Sequence, residues 1–421
     1  MSFKSIPVLD LALADDPATK PAFLRDLRAA LIEVGFLYIK NVGISDEMFD
    51  KVISLGRAFF DIPMEEKLKI EMKNAPSFLG YSRLSAEITA GKTDHREQID
   101  LSTEHPTPVE PDAPRHHNLL APNQWPSEAA LPGFRATYEG YMRLMARVSV
   151  RFTSLVAEAV GLAPDAFDRY VGDPGQQHKL KVVRYPDAGE LGLDVGGSED
   201  DDDDDYDDDD DDARQGVGPH KDSMLTSYLL QASHHAGLQA QNTRGEWIDC
   251  PPIPGTLVVA IGQGMEALTR GVCTSTTHRV LSPRRGEGPR FSVPFFQGVA
   301  ADTTFEDLEA VGVGEVPAEV RRLREEVLEA NGGRRLDDVE FTFRGGGVAR
   351  TLGEATLRNR VKSHPDVGER FYPDILAQIR EEEEARAAQP SPSSPPPGQT
   401  VPVVGGGDDG PGARAKAVRA H

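Results

Sequence analysis

The chain of 421 residues contains only two cysteines, Cys250 and Cys273. Two thiols make no disulfide framework, and their scarcity points to a reducing compartment. No run approaches the roughly 20 apolar residues that a membrane-spanning helix needs. The opening stretch, Met1 to Pro17, lacks the apolar core of a secretory signal. Basic residues are also short, 46 Lys and Arg against 68 Asp and Glu, for a net charge of −22. That deficit argues against nucleic-acid and anionic-membrane partners, which require clustered cations. Much of the acidity is local. Glu199 and the Asp runs 200–205 and 207–212 supply 13 negative charges, and without them the balance is −9. These observations describe a cytoplasmic protein, expected to be monomeric, with ample sequence for a large core.

The N-terminal part reads as mixed structure. A strand is expected at 6–11, a helix at about 21–34, a strand at 35–39, and a helix at 45–60 with Ser45 as its N-cap. From 131 to 162 Leu144, Val148, Phe152, Leu155 and Ala159 fall on one helical face, the pattern of a core-packing helix without chemistry of its own. From Lys179 onward the texture turns to short strands, at 179–185, 225–231, 238–241, 246–250, 256–262, 275–280 and 290–297, separated by Gly and Pro turns. Many short strands with regular turns predict a sandwich or barrel rather than βαβ units. The acidic tract interrupts this region, and its like charges resist compaction, so a disordered insertion is expected over 188–216. Helices are expected at 317–331 and 367–385, and the Pro/Gly-rich tail from 386 to 421 is expected to be disordered.

Three His-x-acid pairs occur: His95-Arg96-Glu97, His220-Lys221-Asp222 and His364-Pro365-Asp366. Residues two apart on extended chain face the same way, so each pair presents an imidazole beside a carboxylate. A third ligand from a neighbouring strand would complete a facial triad with open positions, the Fe(II) oxygenase arrangement. Only the middle pair has a suitable partner, His278, lying 58 residues downstream on an expected strand of the same β region. The first pair has no histidine at a comparable distance, and the third has only the terminal His421 beyond it. Residues His220, Asp222 and His278 are therefore the candidate metal set. Arg290 and Ser292 share one face of the next strand, where a guanidinium and a hydroxyl can hold a carboxylate. Tyr185, ending the first strand of the β region, is placed to add a phenolic hydrogen bond. His234 and His235 lie in an expected turn and carry no role.

These residues resemble the isopenicillin N synthase-like family of Fe(II)/2-oxoglutarate-dependent dioxygenases. Gly218-Pro219-His220-Lys221-Asp222-Ser223 is similar to its first metal motif, His278-Arg279-Val280 to its second, and Arg290-Phe291-Ser292-Val293-Pro294-Phe295-Phe296 to its cosubstrate strand. Ile6-Pro7-Val8-Leu9-Asp10-Leu11, Gly35-Phe36 and Asn123-Gln124-Trp125-Pro126 are similar to its N-terminal region. The chain departs from the family at Gly262-Gln263-Gly264, where Gly-Asp is frequent. The resemblance implies an α+β fold with a double-stranded β-helix (jelly-roll) core, an N-terminal helical region, flanking helices and a disordered C-terminal tail. It divides the chain into an N-terminal region at 1–125, a helix and oxygenase domain at 126–300 with its core at 178–300, and a helical extension at 301–385. It also implies Fe(II), 2-oxoglutarate and O2, with Arg290, Ser292 and Tyr185 holding 2-oxoglutarate, and oxidation of a small molecule by hydroxylation, desaturation or ring closure, in the manner of secondary metabolism. Arg-x-Ser serves equally an oxidase that clamps its substrate's own carboxylate and uses no 2-oxoglutarate, and a non-catalytic metal-binding protein is the remaining alternative. Segment 76–101 is the expected pocket wall.

Overall fold

The computed structural model describes residues 2–89, 91–105, 110, 112–171, 177–193, 208–304, 307, 315–331 and 349–387. Its helices are α1 Lys20–Glu33, α2 Asp46–Asp61, α3 Met64–Lys69, α4 Phe134–Ala159, α5 Asp168–Val171, α6 Asp208–Ala213, α7 Gln263–Leu268, α8 Ala318–Ala330, α9 Leu352–Ser363, α10 Pro365–Phe371 and α11 Pro373–Ala387. The strands begin with β1 Val8–Asp10, β2 Phe36–Lys40, β3 Gly80–Ser82, β4 Ile88–Thr89, β5 Lys92–Thr93, β6 Glu97–Ser102 and β7 Lys179–Tyr185. They continue with β8 Gln215–His220, β9 Thr226–Gln231, β10 Leu238–Gln241, β11 Trp247–Asp249, β12 Thr256–Ile261, β13 His278–Leu281 and β14 Arg290–Phe296.

Two sheets form the centre of the fold. The larger runs β1-β2-β12-β9-β14-β7-β6-β3, and the smaller runs β11-β10-β13-β8. All pairings in them are antiparallel except β1 with β2. Side chains alternate across a strand, so each strand of the larger sheet serves two cores. On β12, Leu257, Val259 and Ile261 join the large core, which also takes Phe23 and Leu31 of α1, Phe59 of α2 and Phe152 of α4. Val258 and Ala260, the alternate residues, join a smaller cluster with Phe36, Tyr185, Val217, Leu238 and Val280. Strands from both sheets contribute to that second cluster, which is the interior of a double-stranded β-helix. The fold is α+β, with helices backing the outer face of the larger sheet.

Local chemistry accounts for the helix boundaries. The Ser45 hydroxyl accepts the Met48 N–H at 3.4 Å, and Asp46 and Glu47 complement the helix dipole in the first turn of α2. On α4, Val148, Phe152, Leu155 and Ala159 are buried as expected, while Leu144 is half-buried and its neighbour Met145 is fully buried.

The expectation of disorder over 188–216 requires correction. A turn at 188–192, helix α6 and the start of β8 lie within it, while 194–207 falls outside the described residues. Asp211 of α6 binds Arg279 Nη2 at 2.6 Å and Arg214 Nη2 at 2.9 Å, so basic partners neutralise this end of the acidic tract. The proposed tail also lies outside the described residues, apart from the last turn of α11. One compact unit spans Met1–Leu376, and a second begins at Ala377, where the described part is the remainder of α11. Among the described residues, no helix is long and apolar enough to cross a membrane. Both cysteines are free and buried, and burial pushes each thiol up to about 12.

Candidate metal centre and carboxylate clamp

The pairing of β8 with β13 sets His220 directly opposite His278. Asp222 follows β8 on the segment that turns into β9. One ligand atom from each of the three lies within 4.8 Å of the others. Asp222 Oδ1 is 3.6 Å from His220 Nε2 and 3.8 Å from His278 Nε2, and the two rings are 4.3 Å apart.

The remaining atoms of the trio are held from behind. His220 Nδ1 donates to the Gly218 carbonyl at 2.8 Å, and His278 Nδ1 donates to the Thr276 carbonyl at 3.1 Å. These bonds select the tautomer whose Nε2 lone pairs point at one spot. Asp222 Oδ2 accepts from the Ser227 hydroxyl, leaving Oδ1 to face the histidines. Burial, reinforced by neighbouring His278, lowers the His220 imidazole to about 4, so it stays neutral and able to ligate. The helix start at Gly262-Gln263-Gly264 clasps this loop. Gln263 N donates to the Asp222 carbonyl at 2.8 Å, and a Cβ at Gly262 would sit 1.9 Å from the Met224 carbonyl oxygen. The backbone at this position therefore helps to hold the Asp222 loop.

Arg290 and Ser292 point into the barrel from β14. Arg290 is 1% exposed, the largest fully buried side chain among the described residues. It stands directly across from Tyr185, with the guanidinium 5.1 Å over the phenol ring. Its Nη2 donates to Gln231 Oε1 at 3.3 Å, while Nη1 has no partner, and Ser292 Oγ has none either. Burial lowers Arg290 from its ordinary value, and Tyr185 opposes that shift. Two buried polar atoms on one strand face with nothing to bind are costly, and a carboxylate would satisfy both. Tyr185 is packed against the site, and a Cβ at Gly216 would strike its ring at 2.7 Å. A cavity of about 360 Å³ lies above, reaching His220, Asp222, His278 and Tyr185 between walls that include Leu229, Val258 and Ala260.

The other two His-x-acid pairs serve elsewhere. Glu97 is buried in an ion pair with Lys67 at 2.8 Å and accepts from Tyr81 at 2.7 Å. His364 is buried with Nε2 3.6 Å from Glu87, and Asp366 Oδ1 accepts the Val367 N–H. His235 bonds the Glu287 carbonyl, in keeping with a structural role. Sequence reasoning missed a second cluster, His116, His117 and Asp302, whose Asp302 is exposed. Residues 185 apart offer no spacing signal for such a group. Segment 76–101 does supply cavity wall, through Glu87, Thr89 and Arg96.

Two family models match the chain, the non-haem dioxygenase N-terminal model over residues 6–128 and the 2OG-Fe(II) oxygenase superfamily over 179–299. The 2-oxoglutarate-dependent dioxygenase frbJ of Dothideomycetidae sp. (strain 11243) is 62% identical over 91% of this chain and 96% of its own length. The chain belongs to the Fe(II)- and 2-oxoglutarate-dependent dioxygenases. As a member it uses Fe(II), 2-oxoglutarate and O2 to oxidise a small molecule. Membership favours this reading over a 2-oxoglutarate-independent oxidase and over a non-catalytic metal-binding protein. The dioxygenase is also 33% identical to homoarginine-6-hydroxylase 2-ODD-C23 of Glycine max, over 73% of this chain and 89% of the relative. A full-length Neurospora crassa protein, solved in complex with α-ketoglutarate and thymine, shares the fold at a TM-score of 0.59 and 20% identity, over 85% of this chain and 96% of that one.

Proposed function

We propose that His220, Asp222 and His278 hold Fe(II), and that Arg290 and Ser292, with Tyr185 stacked beside them, clamp the distal carboxylate of 2-oxoglutarate. The observation that carries the reading is a converged His-Asp-His trio together with two unsatisfied buried donors on β14 of the larger sheet. The donor set fits Fe(II), with two neutral imidazoles and one carboxylate leaving half the coordination shell open. When bound, iron and 2-oxoglutarate together supply an oxidant able to attack an unactivated C–H bond.

The protein's own residues do the rest. The carbonyls of Gly218 and Thr276 fix both rings, and Ser227 fixes the carboxylate. Arg290 neutralises the incoming carboxylate where few waters reach, so the cosubstrate is held in one orientation. The apolar side chains of Leu229, Val258 and Ala260 exclude water from the reacting atoms. The outcome we assign is hydroxylation of a small molecule. A cavity of about 360 Å³ suits a substrate the size of the homoarginine named for the Glycine max relative. A cytoplasmic setting matches the two free buried thiols.

The test is succinate release by the purified full chain given Fe(II), 2-oxoglutarate and O2, with Asp222→Ala alongside. The variant should bind no Fe(II) and release no succinate. Comparable iron affinity in the variant and the unaltered protein would sink the ligand assignment.

A further inference from the structure

The wall of the cavity opposite the apolar side chains is built from buried charge, which needs a reason. It comes from the β4–β5 hairpin region, from β6 and β7, and from α9. Arg96 pairs with Glu87 at 2.8 Å and Asp94 at 3.0 Å. Arg360 pairs with Asp100 at 2.9 Å. Lys181 sits 3.5 Å from both Glu87 and Asp100. Burial lowers His364 to about 4, so it adds no charge at neutral pH. Each of these cations has an anion.

Lys179 does not. It is 7% exposed and lines the cavity, and no carboxylate among the described residues lies within ion-pair reach of it. Of the four cations in this wall, Arg96, Lys179, Lys181 and Arg360, Lys179 is the one without a carboxylate at ion-pair distance among the described residues. Burial, with Arg360 adding to it, holds the Lys179 ammonium well below its ordinary value. An anion entering the cavity would reverse that effect and restore the charge.

The strand register gives the distance from the metal centre. Ser227, which holds Asp222, stands opposite Phe296, and Phe296 stands opposite Lys179. Two strand spacings of about 4.8 Å separate the Ser227 and Lys179 backbones, about 10 Å in all. Phe296 and Pro294 form the floor between them. On β7 the interior face carries Tyr185 at one end, beside Arg290, and Lys179 at the other.

We propose that Lys179 is the substrate-anchoring residue, and that the substrate is a carboxylic acid whose carboxylate pairs with Lys179 while its oxidised carbon lies over Phe296 toward His220 and Asp222. One ammonium without a carboxylate partner matches one negative charge, which favours a carboxylate over a phosphate dianion. This inference rests on the iron reading for the direction of the oxidised carbon, but anion binding by Lys179 stands apart from it.

The experiment is anaerobic titration calorimetry on the full chain saturated with Fe(II) and 2-oxoglutarate. The probes are L-homoarginine, L-proline, indole-3-acetate and hexanoate, each against its own carboxamide. At least one acid binds, and its amide binds about 10- to 100-fold more weakly, the value of one charge-assisted hydrogen bond. Lys179→Met abolishes the distinction and Lys179→Arg retains it. Lys179→Met removes a buried amine without an ion-pair partner, so it folds at least as stably as the unaltered protein. No acid binding better than its amide, or a preference that survives Lys179→Met, overturns the proposal. Succinate release by the unaltered protein without added substrate is scored separately, so failure of the iron reading and failure of Lys179 are distinguishable.

Discussion

Replacing Arg290 with Met tests the carboxylate clamp through stability as well as through turnover. The unaltered protein buries a guanidinium with one modest hydrogen bond and one unpartnered nitrogen. Methionine fills similar volume without needing a partner. The variant loses the stacking on Tyr185, worth about 1–2 kcal/mol, and sheds a desolvation penalty of similar size, so the ligand-free protein changes little. The ligand-bound state changes a great deal. Two charge-assisted hydrogen bonds at about 1.5–3 kcal/mol each amount to a loss in 2-oxoglutarate affinity of at least roughly 100-fold. At 2-oxoglutarate about 100 times the original Kd, binding stabilises the unaltered protein by about 2.7 kcal/mol and the variant by about 0.4 kcal/mol. At about 2 °C per kcal/mol for a chain of this size, the expected rise in Tm is roughly 5 °C against less than about 1 °C. Differential scanning fluorimetry of Fe(II)-loaded protein without O2 reads this directly, with the KM for 2-oxoglutarate rising in parallel. Equal shifts in the two proteins would refute the clamp.

Ser227→Ala removes the hydroxyl that orients Asp222, and should weaken Fe(II) binding by about 10- to 100-fold at unchanged fold content. Metal titration followed by circular dichroism checks it, and unaltered iron affinity counts against the role given to Ser227. His178 provides a pH test. It is buried against Phe295, its Nδ1 accepts the Gly298 N–H at 3.3 Å, and burial lowers it to about 4. Its unfolded value near about 6.5 is higher, so on acidification the unfolded chain takes the proton first. Stability is complete above about pH 6.5 and falls toward about pH 4, by at most roughly 3 kcal/mol from this group. His178→Gln should flatten urea-unfolding free energies across that window, and parallel pH profiles would refute the attribution.

The convergence of Asp222 with His278, and the shared strand face of Arg290 and Ser292, were legible because period-2 placement on strands needs no long-range knowledge. His278, Arg290 and Ser292 sit on β13 and β14 close to the expected boundaries. Strand β8, which carries His220, was not legible. Its sequence, Gln-Gly-Val-Gly-Pro-His, has the glycines and proline of a loop and adjoins the acidic tract. It becomes a strand because β13 pairs with it and because Gly216 leaves room for Tyr185. Strand β6 was hidden for the opposite reason. Glu97, Gln98 and Asp100 carry no apolar alternation that marks a strand, yet all six of its residues are buried, because Lys67, Arg360 and Lys181 come from elsewhere to neutralise its carboxylates. Sequence periodicity reports one chain segment at a time. Buried ion pairs are agreements between segments far apart, and no local pattern announces them.

The net charge of −22 poses a problem that the buried cations resolve. A dioxygenase that takes up dianionic 2-oxoglutarate, and on our proposal a carboxylate substrate, must attract anions from within an acidic molecule. Solvent settles part of this, since exposed charges lose influence beyond a Debye length of about 8 Å at physiological ionic strength. Arg290 and Lys179 are shielded from that screening, because both are buried. A guanidinium or ammonium a few ångströms from its carboxylate, at low effective dielectric, outweighs many solvated aspartates at a distance. The described end of the acidic tract is also partly cancelled, since Asp211 is bound by Arg214 and Arg279. Total charge therefore predicts little about which ligands this site accepts. Arg290 and Lys179, two buried cations without an ion-paired carboxylate among the described residues, at opposite ends of the β7 interior face, predict more.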